Sequence, residues 1–74
     1  MKKYEIDVIG YEDDGFRIDL IDLITGEVLK CVDDYDCIDN VLIDLYKYYG
    51  EWFEEFGVDF RDGDVFRIKM DVDC

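Results

Sequence analysis

Tyr4, Ile6 and Val8 alternate with Glu5 and Asp7, the two-residue period of a strand with one face on a core and the other in water. Gly10 ends that run. Residues 12–15, Glu-Asp-Asp-Gly, read as a turn leading into Phe16, Ile18 and Leu20, which alternate with Arg17 and Asp19 and complete a hairpin. The apolar phase then slips to Ile21 and Leu23, which predicts a bulge or twist near Leu20. Thr25 and Gly26 supply the next turn, and residues 27–32 read as a third strand. From residue 38 the period changes. Ile38, Val41, Leu42, Leu45, Tyr49, Trp52, Phe53 and Phe56 recur at three- and four-residue spacing, the core stripe of an amphipathic helix. Asp36 is placed to cap its first amides, Asp39 favours the positive end of its dipole, and Gly57 suits its C-terminus. Residues 65–72 close the pattern as a strand, with Phe66, Ile68, Met70 and Val72 on one face and Arg67, Lys69 and Asp71 on the other.

The order is β-β-β-α-β, which predicts an α+β fold of two layers: a four-stranded sheet with one helix packed on one face, in a single domain over residues 1–74. If the first three strands form a meander, the helix returns the chain so that the last strand runs parallel to the first. Arg67 and Lys69 then pair with Glu5 and Asp7, favouring the spatial order 3-2-1-4. The last strand beside the third also satisfies the hydrophobic pattern.

Charge changes the picture most. The chain carries 21 acids against 8 bases, a formal net charge of −13 on 74 residues. Residues 31–64 hold eleven of the acids and two of the bases, while residues 65–74 are neutral. An excess concentrated in this way produces a focused potential that steers a cationic partner, although a solvated helix flanked by acidic turns has the same composition. The 16% aromatic content and the many Ile and Val residues exclude an acid-rich disordered chain.

With no Ser and no His, the chain has neither a Ser-His-Asp triad nor a Cys-His pair, and a fold with one helix committed to covering a sheet leaves little room for a carboxylate-based site. No catalysis and no cofactor are expected. Cys31, Cys37 and Cys74 lack zinc-ligand spacing and read as reduced thiols. Neither Asp33, Asp34, Asp36 and Asp39 nor Asp59, Asp62 and Asp64 follow an EF-hand loop, and capping and turn roles account for both groups. Glu5 and Asp7 interrupt any signal-like apolar run after Lys3, and no stretch reaches membrane-spanning length. The expected location is the cytoplasm, the organism's own or an infected host's.

Direct nucleic-acid binding runs against the charge, since affinity there comes from Lys and Arg neutralising phosphates. The inverse role fits better: carboxylates along a rigid element occupy a groove built for phosphates. Asp44, Tyr48, Glu51 and Glu55 share a helix edge, with Asp44 to Glu55 covering about 16 Å at 1.5 Å per residue. Asp39 and Glu54 add charge outside it, and Ile43 projects away from the core stripe as a candidate apolar anchor. Lys47 partly neutralises the group, and Glu on an exposed helix face is also a good helix former.

In size, acidity and aromatic content, and in the acids of residues 33–64, the chain resembles the small phage-encoded proteins that imitate DNA to block host defence, such as anti-CRISPR inhibitors and anti-restriction proteins. The resemblance implies a stoichiometric inhibitor seated in the cationic nucleic-acid channel of a nuclease or similar enzyme. An antitoxin or immunity-like inhibitor of a basic nuclease has the same appearance. The alternative of another class is a small cation-binding or accessory subunit.

Overall fold

The computed structural model describes residues 1–11 and 15–72. Residues 12–14 of the turn expected at 12–15, together with Asp73 and Cys74, lie outside them. The elements are β1 (Lys3–Gly10), β2 (Phe16–Asp22), β3 (Val28–Tyr35), α1 (Ile38–Glu55), a short 3-10 turn (Phe60–Asp62) and β4 (Val65–Asp71). The sheet order is β3-β2-β1-β4, with β1 antiparallel to β2 and parallel to β4. Glu5 stands beside Arg67 and Asp7 beside Lys69, the register that charge pairing predicted. This is an α+β fold: a mixed four-stranded sheet with one helix on one face.

Two irregularities shape β3. Leu20 pairs with Lys30 but Ile21 with Val28, so the slip expected near Leu20 is present and the extra residue, Leu29, belongs to β3. Further along, Ile18 pairs with Val32 but Phe16 with Tyr35, and Asp34 there adopts φ 72. A short polar side chain tolerates that left-handed conformation better than most, so Asp33 and Asp34 form a bulge. The third strand therefore runs on to Tyr35 instead of ending at Val32. Cys37, not Asp36, is the N-cap of α1, and no side chain caps the first amides. Asp39 does sit in the first turn.

At its other end α1 closes as expected around Gly57. Its φ of 59 lets its N–H donate to the Glu54 carbonyl and the Val58 N–H reach the Phe53 carbonyl, a Schellman ending. Lys2 reinforces it from outside, its Nζ donating to the carbonyls of Phe56 and Gly57 at 2.8 and 3.2 Å. Asp64 then fastens the N-terminal segment, accepting from the Lys2 N–H at 2.8 Å and the Asp59 N–H at 3.0 Å.

The core lies between sheet and helix. Ile6, Val8, Ile18, Leu20 and Val41 are fully enclosed, each stabilising the fold by about 1.5–3 kcal/mol. Trp52 and Leu45 are buried as the stripe required. Leu42 is 42% exposed, however, and Ile68 and Met70 are also exposed, because α1 lies over β2 and β3 and does not reach the far half of β4. Tyr49 and Phe53 reach only its beginning, packing against Phe66 at 4.9 and 5.7 Å between ring centroids.

Gly50 lies inside α1 without bending it to an end, and an added Cβ would meet nothing within 4 Å. Gly50→Ala is therefore expected to stabilise the protein by about 0.5–1 kcal/mol. Thermal melts of the two proteins check this, and a lower midpoint for the variant would contradict it.

Candidate interaction surface

Helical geometry divides the outer surface of α1 into three rows. Facing β3 are Asp44, Tyr48, Glu51 and Glu55. Along the crown, farthest from the sheet, are Asp39, Ile43, Lys47, Gly50 and Glu54. Facing β4 are Leu42, Tyr46 and Tyr49.

The row facing β3 is drawn into the fold. The Tyr35 hydroxyl donates to Asp44 Oδ2 at 2.7 Å, and burial first, then this bond, pushes the Tyr35 phenol well above its ordinary range. Tyr48 is half-buried, stacked on Trp52 with ring centroids 4.8 Å apart. Glu55 is bridged to Lys30 at 3.2 Å. Of the four residues on this expected edge, only Glu51 is exposed and without an ion-pair or hydrogen-bond partner among the described residues. The crown is freer. Asp39, Glu54 and Ile43 are exposed, Ile43 to 67%, while Lys47 leans over the Tyr48 ring at 5.6 Å.

The acidic surface continues past both ends of the helix. Asp33, Asp34 and Asp36 are exposed before it, and Asp59 and Asp62 after it. Nine of the eleven acids in residues 31–64 are thus exposed, with Asp44 half-buried and Asp64 buried. The two backbone N–H groups it accepts hold the Asp64 carboxyl below its ordinary range. Asp59 is occupied in the turn, accepting from the Arg61 N–H at 2.9 Å. Among the described residues, no group of three or more His, Cys, Asp or Glu is arranged to hold a metal ion. No helix of the described residues is long and apolar enough to cross a membrane.

The open face of the sheet has a different character. Asp7 and Asp19 stand opposite each other on β1 and β2. Glu5 and Asp19 are buried beneath long basic side chains, Glu5 against Arg67 at 3.2 Å and Asp19 against Arg17 at 3.1 Å. One oxygen each of Asp7 and Asp19 is buried without a hydrogen-bond partner among the described residues. Burial raises the Asp7 carboxyl above its ordinary range, with Lys69 opposing the shift and Glu5, Asp71 and Asp19 adding to it. The Asp19 carboxylate faces Cys31 and, as an acceptor first, pushes its thiol up, so the exposed sulfur stays protonated and weakly nucleophilic at neutral pH.

Sequence reasoning missed the side of the helix that faces β4. Tyr46 is 88% exposed and, with Leu45, Tyr49 and Ile68, lines an open groove of about 260 Å³. The signal was present: Tyr46 lies four residues after Leu42 and three before Tyr49, widening the apolar stripe beyond what the covered half of the sheet can bury. No protein-family model, curated protein or solved structure matches the chain.

Proposed function

We propose that this chain is an acidic, non-catalytic binding protein of the cytoplasm that occupies the basic nucleic-acid-binding surface of a partner, such as a CRISPR nuclease or a restriction enzyme. The observation that carries the reading is the array of nine exposed acids running from the end of β3, over the crown of α1, to the 3-10 turn. Among the described residues, Glu55 alone of these nine is bridged to a base. An array of exposed carboxylates raises the local density of negative charge much as a run of phosphates does, and it invites the same Arg and Lys partners. Its rigidity supports the reading too, because α1 is fixed by buried Val41, Leu45 and Trp52 and so presents its charges at set spacings. Asp39 and Glu54 at either end of the crown are about 22 Å apart along the helix axis.

The test is capture on the immobilised chain from a nuclease-treated lysate of the native host, with salt elution and competition by duplex DNA or RNA. A nucleic-acid-binding protein that elutes as salt rises and is displaced by nucleic acid is the expected result. The diagnostic variant joins Asp39→Asn, Glu51→Gln and Glu54→Gln, the exposed helix acids without partners. It is expected to bind about tenfold or more weakly, with a shallower salt dependence and an unchanged or higher melting midpoint. Wild-type binding by that variant, or a captured partner indifferent to nucleic acid, would remove the basis for the proposal.

A further inference from the structure

The β4 edge of the sheet is open: β4 pairs with β1 on one side, and no described strand lies on the other. Beside that edge, on the helix side, Ile68 and Met70 are 44% and 49% exposed, and Ile68 lines the groove with Leu45, Tyr46 and Tyr49. An unpaired strand next to an apolar groove is a template for another strand. We propose that its occupant is the β4 edge of a second copy, added antiparallel across a twofold axis at Lys69.

The pattern of β4 is complementary to itself in that register. Antiparallel pairing about Lys69 sets Arg67 against Asp71 of the other copy, twice, on the open face. On the helix face it sets Ile68 against Met70, and Phe66 against Val72, again twice each. Shifting the axis by one residue to Ile68 would instead oppose Arg67 with Lys69. The one like-charged contact of the proposed register, Lys69 against its counterpart, is flanked on each side by Asp7 in the neighbouring strand. The row across the joined sheets thus reads acid, base, base, acid. Arg67 and Lys69 would deter pairing with a neutral or basic edge, whereas here one has a carboxylate to meet and the other has one beside it.

The location also suits a chain of this charge. β4 carries Arg67 and Lys69 against Asp71, a local excess of positive charge in a protein of net charge −13. The acids that project from β3 lie at the opposite edge of the sheet. Two copies joined through β4 bring together their least acidic edges, and long-range repulsion between the acidic surfaces remains the main opposing force. Salt screens that repulsion. Association of the chain with itself should therefore tighten as salt rises, whereas binding to a basic partner through the acids of α1 should weaken. The two proposals thus fail independently.

The experiment is sedimentation equilibrium of the full chain up to about 0.5 mM, a range that detects self-association of millimolar or tighter Kd. It is run at low salt and at about 0.5 M NaCl, where the Debye length is about 4 Å. A monomer–dimer equilibrium whose Kd falls at least tenfold at the higher salt is expected. Met70→Lys and Ile68→Lys, each at an exposed position, should weaken dimerisation at least tenfold while keeping a cooperative melt. Two variants are used so that one remains informative if the other does not fold. A monomer at every concentration in both salts would overturn the proposal, as would dimerisation unchanged in a folded lysine variant.

Discussion

Trp52→Ala is expected to cost about 3–5 kcal/mol, the range for removing a large buried aromatic, and to lower the melting midpoint by on the order of 20 °C. Trp52 belongs to the core between sheet and helix. It is buried on the inner face of α1, which also buries Leu45 and Val41, and it carries the Tyr48 ring stacked on its own. Its loss would open a cavity between helix and sheet and leave Tyr48 without its platform. Since a domain of this size has a total stability of only about 4–11 kcal/mol, the variant is expected to be partly unfolded at 37 °C. Circular dichroism melts measure the loss. A cooperative transition within a few degrees of wild type would mean that the helix does not use this face to meet the sheet.

Acidification should first stabilise the protein and then unfold it. Asp7 has a raised pKa in the folded state, so the folded form binds its proton more readily than the unfolded chain does, and stability increases as pH falls through that raised value toward the ordinary carboxylate range. Relief of the overall negative charge acts in the same direction. Asp64 has the opposite sign. Its folded pKa is lowered by two backbone N–H groups, so it contributes stability above the ordinary carboxylate range and loses it as pH falls through the folded value. The melting midpoint is expected to climb as pH falls from 7 through the folded value of Asp7 and to drop as pH falls on through that of Asp64. Melts at constant ionic strength test the profile. Asp7→Asn should raise the midpoint at pH 7 and flatten the climb, and a wild-type midpoint that falls steadily from pH 7 would contradict the assignment.

The architecture was legible because it rests on local periods. Alternation at Tyr4, Ile6 and Val8 and the stripe through Val41, Leu45 and Trp52 required only neighbouring residues, and the Glu5–Arg67 pair followed once the strands were placed side by side. The helix start was less legible, because Asp serves equally as a cap and as a residue that tolerates positive φ. Asp34 took the second role, in a bulge with Asp33 that carried β3 forward to Tyr35. The acidic edge was legible only in part. Asp44 is taken by Tyr35 and Glu55 by Lys30, both on β3, and such pairings depend on which strands the helix covers. The same lateral displacement of α1 over β2 and β3 leaves Leu42, Ile68 and Met70 open, although each sits correctly on its own apolar period. The open sheet face was read as wet, yet Glu5 and Asp19 are buried there because the stems of Arg67 and Arg17 cover them.

The seat of β4 beside β1 has a consequence for how the chain folds. The contacts that fasten this end of the sheet join residues 62 apart, as between Lys2 and Asp64 or Glu5 and Arg67. β1, β2, β3 and α1 precede β4 in the chain, so until β4 docks the β1 edge of the sheet is bare. Such non-local closure is slow, and a bare edge in the interval can pair with another incompletely folded chain. The net negative charge makes such incompletely folded chains repel one another throughout that interval. The charge that makes the finished surface distinctive thus also keeps its unfinished precursors apart.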